Sequence, residues 1–366
     1  MKSARSVRIF TGISIATLAL SAISALAFGT VSASITKIDA FAGIDNRPAK
    51  KSSAINYLLV GSDTREGLTK EELKELRVGS VATAAGKRSD TMLLVHISKA
   101  RDKAVLVSIP RDSFALIPAH LNKAGKTVPA VHSKINSAFN WGGAPLLIQT
   151  LEEMTQLKID HYVEVNFAGF ARVIDSLGGI EVCTKKDIDD PKSHLVLPAG
   201  VHTLNGIEAL KYVRTREFDG LGDIGRMQRQ QAFMSSVLKK ATSAGVLLNP
   251  ITITSFINSS LAAVTTDEGL KNSDLITLAK QMKSLATSNV RTLTVPLSDL
   301  NYYSNGVTAS VLWDPVLAPE LWDRLREDRA VVDEVIASPS PSSTNAAKVE
   351  IVDKFKTRTA DDNICR

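Results

Sequence analysis

Two almost uninterrupted apolar segments constrain the fold of this chain more than any other feature of its sequence. They are TMLLVHI, residues 91–97, and AVLVSI, residues 104–109. A strand with one face in solvent alternates apolar and polar residues, whereas a strand covered on both faces is apolar nearly throughout. The two segments therefore predict a β-sheet with helices packed on both sides.

Further segments extend this prediction to a complete α/β domain. Apolar runs predict additional strands at residues 55–61, 161–167, 179–183 and 290–297. Helical patterns are predicted at residues 70–77, 143–157, 168–177, 205–213, 226–241, 275–285 and 315–329. We expect one domain over residues 54–335, with a mixed central sheet covered by helices on both faces.

The N-terminus predicts a membrane anchor. Residues 9–33 carry no charged side chain, and a helix of this length spans about 37 Å, enough to cross a hydrocarbon core of ~30 Å. The apolar region of a secretory signal is usually only ~7–15 residues long, although the small residues at 31–33 leave cleavage open. We expect a cytoplasmic head of residues 1–8, one transmembrane helix, and a cell-membrane protein whose remaining chain is extracellular.

Polar segments flank the predicted domain. Residues 34–53 are expected to form a membrane-proximal linker, residues 336–347 a Ser/Pro-rich linker, and residues 348–366 a C-terminal tail. The chain has two cysteines, Cys183 and Cys365. An even number of cysteines in an exported chain more often means a disulfide, so we expect these two to be bonded to each other.

Net charge narrows the choice of partner. The chain has a formal net charge of +6, which favours an anionic partner such as nucleic acid, anionic lipid or a phosphorylated glycan. The predicted extracellular position excludes DNA as a routine partner. Membrane lipids and cell-wall polymers remain as the candidate partners.

Charged residues gather where the predicted strands end. Asp63 follows the strand at 55–61, Arg88 and Asp90 precede the strand at 91–97, and Arg111 follows the strand at 104–109. If the last two strands are antiparallel and the first lies beside them, these residues meet at one edge of the sheet. Ligands of α/β proteins bind at such edges.

A second charged segment is VRTREFDGLGDIGRMQRQQ, residues 213–231. Its GxGxxG spacing lacks the preceding strand and the following acid of a dinucleotide site. Arg214 and Arg216 precede the glycines, while Arg226 and Gln230 share one face of the helix that follows. A solvated basic face is the alternative, but the charged strand ends favour an anion-binding site.

The charged strand ends and the arginine-rich segment 213–231 together suit a phosphorylated ligand. Mg²⁺ is usually held by one or two carboxylates plus substrate phosphates, and the arginine fork matches phosphate oxygens in pairs. A pyrophosphate with two or three negative charges would need about this many cations.

Seven ordered motifs resemble the LytR–CpsA–Psr family, whose members are membrane-anchored extracellular phosphotransferases of Gram-positive cell-wall assembly. The resemblance covers about residues 54–240 and is looser to about residue 330. The motifs are NYLLVGSDTR, KRSDTMLLVHI, VSIPRDS, HSKINSAFNWGG, DHYVEVNFAGFARVIDSLGGIEV, LNGIEALKYVRTR and DIGRMQRQQAF.

The resemblance implies an activity and a set of site residues. The enzyme would move a glycopolymer from a polyprenyl-pyrophosphate lipid carrier onto a hydroxyl of peptidoglycan or a surface protein, with Mg²⁺ as cofactor. The implied fold is an αβα sandwich with an apolar pocket for the prenyl chain. The implied Mg²⁺ ligands are Asp63 and Asp90, and the implied pyrophosphate-binding residues are Arg88, Arg111, Arg214, Arg216 and Arg226, supported by Gln230, with Asp223 near the head group.

Several alternatives stay open. Water in place of the acceptor would give a polyprenyl-pyrophosphate hydrolase from the same site, and a third hypothesis is a non-catalytic module that binds lipid or wall polymer. Lys134 and Asn136 match a KIN motif of the family, but the sequence assigns them no role. The general base is open among Asp90, Asp112 and Asp223.

Overall fold

The structure, a computed structural model, describes residues 35–65, 67–76, 89–122, 124–216, 222–241, 243, 250–271, 274, 289–336 and 349–359. Its strands are β1 (Thr36–Ile38), β2 (Ile55–Ser62), β3 (Ser89–Ile97), β4 (Ala104–Ile109), β5 (Phe114–Ile117), β6 (His120–Leu121), β7 (Thr127–Val128), β8 (Val131–Lys134), β9 (His161–Asn166), β10 (Ile180–Thr184), β11 (Ile188–Asp190), β12 (Leu195–Leu197), β13 (Gly200–Leu204), β14 (Val264–Asp267), β15 (Val290–Thr294), β16 (Leu297–Ser304), β17 (Val307–Trp313), β18 (Asp333–Ile336), β19 (Val349–Val352) and β20 (Arg358–Thr359). Its helices are α1 (Lys70–Leu76), α2 (Ile135–Thr155), α3 (Phe167–Ser176), α4 (Gly206–Arg214), α5 (Gly222–Ala241), α6 (Pro250–Ala263) and α7 (Leu317–Arg326).

An eight-stranded mixed sheet forms the centre of the described residues, in the order β1-β14-β9-β2-β3-β4-β15-β20. β2, β4, β9 and β15 run in one direction, and β1, β3, β14 and β20 run in the other. The ends of the first group and the starts of β1, β3 and β14 therefore share one edge. We call this edge the rim; it is marked by Ser62, Met92, Ile109 and Thr294.

Helices cover both faces of this sheet. Residues an odd number apart on a strand point to opposite faces, as Ala104 and Val107 of β4 do. Val107 belongs to the main apolar core with Leu147 of α2 and Trp322 of α7. Ala104 packs on the other side, against Leu238 of α5. The predicted mixed sheet with helices on both faces is confirmed.

The segment predicted as a linker, residues 34–53, belongs to this domain instead. β1 pairs in parallel with β14, and Ala40 is fully buried in the main core. Arg47 forms a 2.6 Å ion pair with Glu152 of α2. The polar composition of the segment hides these contacts, because the partner residues lie over a hundred positions further along the chain.

Of the predicted C-terminal tail, residues 348–366, the described residues 349–359 also contribute to the fold. β20 pairs antiparallel with β15 at the end of the sheet, and Phe355 is buried in the main core. The tail therefore closes one side of the domain.

Among the described residues, no helix is long and apolar enough to cross a membrane. The predicted head and anchor, residues 1–33, lie outside the described part of the chain, as does the helix predicted at 275–285.

A second apolar cluster joins α3, α4 and α5 beside the sheet. It contains Ile174 of α3, Tyr212 of α4 and Phe233 of α5. α4 approaches α3 closely at Gly206, where an added Cβ would overlap the carbonyl oxygen of Ala171. This close contact fixes the start of α4 against α3.

We expect Gly206→Ala to destabilise the domain by about 1–3 kcal/mol, since the new methyl group meets rigid backbone rather than a movable side chain. Urea unfolding of the purified protein measures the change. Gly169→Ala, whose Cβ would lie 2.5 Å from the carbonyl oxygen of Ala263, should have a similar effect. An unchanged unfolding midpoint in both variants would contradict the close helix packing.

Candidate active site

The charged strand ends meet at the rim, as the sequence predicts. β2 and β4 both lie antiparallel to β3, one on each side of it. Asp63 follows directly after β2, Asp90 lies in β3, and Arg111 follows two residues after β4. Three neighbouring strands thus bring these residues to the same edge.

A β-bulge interrupts the β2–β3 pairing at this point. Gly61 pairs with Thr91, but the next residue, Ser62, pairs with Ser89. Asp90 is therefore the extra residue of the bulge. Bulges bend the strand that contains them and are over-represented next to active sites.

A cavity of about 320 Å³ opens at the rim. Arg111, Asp112, Arg226 and Gln230 supply charged and polar groups, whereas the β16–β17 hairpin supplies an apolar wall. The full lining consists of Thr91, Met92, Ser108, Ile109, Pro110, Arg111, Asp112, Arg226, Met227, Gln230, Leu297, Leu300, Ala309 and Val311.

Contacts of α5 place Arg226 at the cavity. Gln231 donates hydrogen bonds of 3.1 and 2.9 Å to the hydroxyls of Ser108 and Thr294, at the ends of β4 and β15. Because Leu238 packs near the starts of the same two strands, the helix runs along them and its first turns reach the rim. Arg226 is 4% exposed there.

The end of α4 is attached to α5 through backbone carbonyl groups. The Gln230 side chain donates to the Val213 carbonyl at 3.1 Å, and the buried Arg229 guanidinium donates to the Thr215 carbonyl. Arg214 lies between Val213 and Thr215 in the chain, and Arg216 follows Thr215. The two arginines are thus held beside α5, next to residues that line the cavity.

Further contacts orient these two arginines. The Arg214 guanidinium lies 5.3 Å from the centre of the Phe167 ring, and the Arg216 backbone N–H donates to Asp190. The structure therefore brings Arg111, Arg226 and Gln230 together on one cavity, with Arg214 and Arg216 on the adjoining segment.

Asp112 and Lys134 are site residues whose contacts the sequence did not predict. The Asp112 carboxylate forms ion pairs with Arg111 at 3.4 Å and with Lys134 at 3.2 Å. The Asn136 backbone N–H donates to the Arg111 carbonyl at 3.1 Å. The KIN motif therefore holds the turn that carries Arg111; the Lys–Ile–Asn match was its signal.

The β16–β17 hairpin is the other feature of the site that was not predicted from the sequence. The Val311 N–H donates to the Asp112 carbonyl at 2.9 Å, and the Trp313 indole donates to the Ser113 hydroxyl at 2.9 Å. Asn305 and Gly306 form its two-residue turn, both with positive φ, as in a type I′ turn. This asparagine–glycine pair was the available sequence signal.

Of the other predicted site positions, Asp63 does not line the cavity, and Arg88, Asp90 and Asp223 are not fully described. Asp63 is partly exposed and lies 3.8 Å from the Arg65 guanidinium. Arg88 lies outside the described residues, and for Asp90 and Asp223 only the backbone is described. Among the described side chains, no group of three or more His, Cys, Asp or Glu is placed to hold a metal ion.

The predicted disulfide is also only partly described. Cys183 lies in β10, paired with Val201 of β13, and is not a free thiol. Cys365 lies outside the described residues, so the pairing of the two remains a prediction.

Fold and site together define an α/β protein with a partly apolar, partly cationic cavity at one edge of a mixed sheet. The model of the LytR–CpsA–Psr family matches residues 27–319. The chain belongs to the LytR–CpsA–Psr family.

Curated relatives share this family. A probable cell wall biosynthesis protein, LcpB of Corynebacterium glutamicum, is 37% identical over 287 residues, which cover 77% of this chain and 64% of LcpB. The polyisoprenyl-teichoic acid–peptidoglycan teichoic acid transferase TagT of Bacillus subtilis is 36% identical over 202 residues, covering 54% of this chain and 55% of TagT. The chain thus spans about half to two thirds of the length of these relatives.

Solved structures share the fold. A LytR-Csp2A-Psr enzyme from Actinomyces oris matches with a TM-score of 0.59 at 22% identity, covering 80% of this chain and 95% of that protein. TagT bound to LIIa-WTA matches with a TM-score of 0.55 at 26% identity, covering 77% of this chain and 96% of TagT.

Proposed function

We propose that this protein is a phosphotransferase that moves a glycopolymer from a polyprenyl-pyrophosphate lipid onto a hydroxyl of the cell wall. The observation that carries the proposal is the rim cavity, which joins buried arginine to an apolar wall. An amphipathic ligand with an anionic head and a hydrocarbon tail matches both parts. The relative TagT, named as a teichoic acid transferase, supports the same class of reaction.

Each part of the site has a role in this proposal. Arg111 and Arg226 bind the two phosphates through charge-assisted hydrogen bonds, with Arg88, Arg214, Arg216 and Gln230 completing the head-group site. Leu297, Leu300 and Val311 contact the first isoprene units. Asp223 lies near the head group.

Asp63 and Asp90 are the proposed Mg²⁺ ligands. Two carboxylates suit Mg²⁺, because this ion takes its remaining ligands from substrate phosphates and water. The bound ion would neutralise negative charge on the phosphate oxygens. The bulge at Asp90 places its backbone beside the end of β2, where Asp63 begins the following loop.

The proposed reaction breaks the phosphoanhydride bond of the donor and forms a phosphodiester bond to the acceptor. The acceptor oxygen attacks the sugar-bearing phosphorus, the bond to the bridging oxygen breaks, and polyprenyl phosphate leaves with its electron pair. The arginines stabilise the charge that develops on the leaving phosphate. Of the three candidate bases, Asp112 is a lining residue of the cavity with a described side chain. We assign it the role of taking up the acceptor proton.

Two further features belong to the same proposal. An N-terminal anchor at residues 9–33 would hold the enzyme and its lipid donor on one membrane surface, with the domain outside the cell. A Cys183–Cys365 disulfide would attach the C-terminus to β10, consistent with an extracellular location.

The decisive assay supplies purified lipid-linked donor, Mg²⁺ and either peptidoglycan or a surface-protein acceptor. It follows release of polyprenyl phosphate and formation of the new phosphodiester. Product in both measurements supports the transferase, whereas release with no acceptor product on any acceptor favours the hydrolase alternative.

We expect Asp63→Ala to abolish most turnover while donor binding is largely kept, because the arginines remain and the lost carboxylate acts mainly in the transition state. The matched control is Glu268→Ala, an exposed carboxylate at the opposite edge of the sheet. Full activity of Asp63→Ala, or undiminished transfer by the wild type in excess chelator, would remove the metal from the mechanism.

A further inference from the structure

The direction of β1 determines which side of the domain receives the N-terminal segment. β1 runs parallel to β14, and β14 runs antiparallel to β9. Because β9 ends at the rim beside Ser62, Thr36 at the start of β1 lies at the rim as well. Three Cα–Cα steps, about 11 Å at most, separate Thr36 from position 33, where the proposed anchor ends.

Exposed apolar side chains lie on the same side of the domain. Val316, 70% exposed, follows a turn in which the Asp314 N–H donates to the Pro296 carbonyl, just beyond the end of β15. Leu300 lines the cavity and is still 51% exposed, and Tyr303 on the same strand is 61% exposed. Leu300 is thus exposed at the cavity itself, and Tyr303 and Val316 are exposed apolar groups of the same hairpin and of the segment that follows it.

A second exposed group follows the Arg111 turn along the chain. The chain continues from this turn through β5 to the β6–β7 hairpin, where Leu121 is 63% exposed. The neighbouring His120 ring stacks on the partly exposed Trp141 of α2, with ring centres 5.5 Å apart. Lys126, in the same hairpin, is exposed.

We infer that the rim side of the domain docks on the lipid bilayer, so that the cavity opens toward the membrane. We call this surface the membrane face; it comprises Leu121, Trp141, Leu300, Tyr303 and Val316. Exposed apolar patches beside a binding site mark interaction surfaces. Trp and Tyr favour the membrane interface, and lysine favours anionic lipid head groups.

The membrane face gives the proposed donor a direct route into the site. The inference rests on the proposed function, in which the donor is a membrane lipid and the chain is anchored. The phosphates of the donor, held at the level of the lipid head groups, would meet Arg111 and Arg226 at the rim. Leu300 would remain in contact with hydrocarbon. The domain would bind donor without first lifting it fully out of the bilayer.

A site-specific label tests the orientation. The full chain carrying Val316→Cys is labelled with an environment-sensitive fluorophore and reconstituted into vesicles of phosphatidylcholine and phosphatidylglycerol that contain a lipid-attached quencher. The control is Lys99→Cys, in the exposed turn between β3 and β4 at the opposite edge, and labelled wild type corrects for the two native cysteines. Strong quenching at 316 with little at 99 is expected.

Equal quenching at the two positions, or stronger quenching at 99, would overturn the membrane face. Failure of the full chain to float with vesicles would overturn it together with the anchor. Neither result would affect turnover of donor dissolved in detergent, so failure of the proposed transferase activity would be seen separately.

A charge variant tests whether the contact matters for activity. We expect Val316→Asp to lower turnover of vesicle-embedded donor about tenfold, the equivalent of losing one buried apolar side chain, and to leave turnover in detergent unchanged. The matched control is Val352→Asp, at a position that is 39% exposed. Val352 pairs with Asp333 of β18, and Asp333 forms an ion pair with Arg324 near the other end of α7. Equal losses in the two variants, or a loss in detergent as well, would contradict the inference.

Discussion

Replacing Arg226 with alanine is expected to lower turnover of the lipid-linked donor about 10²–10³-fold, the range for loss of one preorganised charge-stabilising donor. Arg226 is buried in the first turns of α5 and lines the rim cavity beside Arg111. At a position as buried as that of Arg226, a guanidinium on the proposed leaving phosphate would act more strongly than it would in solution. Steady-state kinetics with purified donor and acceptor measure the loss.

Two further variants separate a role in the reaction from a role in folding. Arg226→Lys keeps the charge but loses the paired hydrogen bonds, so intermediate turnover is expected. Lys240→Ala removes an exposed cation near the other end of the same helix and should leave turnover unchanged. Near-wild-type turnover of Arg226→Ala, with the unfolding midpoint preserved, would exclude Arg226 from the head-group site.

The largest stability effect is expected from Arg47→Ala, at about 3–5 kcal/mol, because the variant leaves the buried Glu152 carboxylate without its cation. Arg47 donates to both oxygens of Glu152, at distances from 2.6 to 3.2 Å, and also to the Ile159 carbonyl. Urea or thermal unfolding of the full chain measures the change.

The more exposed pair of Lys50 and Asp160, at 2.7 Å, supplies the matched control. Lys50→Ala should cost only ~0–1 kcal/mol, since surface ion pairs contribute little. Replacing both partners, Arg47→Met with Glu152→Leu, should recover part of the stability lost by Arg47→Ala alone. Equal, small losses for Arg47→Ala and Lys50→Ala would show that residues 34–53 behave as the linker that their composition predicts.

Local pattern was sufficient to predict the central part of the fold. The strand at residues 104–109 has the predicted bounds, and the strands predicted at 55–61 and 91–97 differ from β2 and β3 by one or two residues at an end. Long apolar segments carry this information because burial on both faces demands it. His96 of β3 fits this pattern, because it is buried and bonds Asn56 and Asp328, and burial lowers its pKa.

Features that depend on distant contacts were not predictable in the same way. The helix predicted at 143–157 is the second part of α2, which begins at Ile135 and kinks at Gly143, where φ is 65°. The first part packs against β5 and β8, which no local pattern connects to it. The β16–β17 hairpin is polar and largely exposed outside its cavity face, so its apolar signal is weak.

The candidate site shows the same division. Charges at strand ends, together with the expected antiparallel pairing, placed Asp63, Asp90 and Arg111 at one edge. Sequence could not show that Lys134 bonds Asp112, because that contact requires β5 and β8 to pair first. It also could not identify the cavity's apolar wall, whose residues lie almost two hundred positions from Arg111.

The attachment of the β16–β17 hairpin has a consequence for the construction of chimeric enzymes. The four-residue turn 110–113 carries Arg111 on one side and, through Asp112 and Ser113, holds Val311 and Trp313 on the other. A hairpin transplanted from a relative that lacks tryptophan at this position would lose the indole–hydroxyl bond to Ser113 unless its own turn came with it. The smallest exchangeable unit is therefore the hairpin plus residues 110–113, so the apolar wall of the cavity and Arg111 are exchanged together.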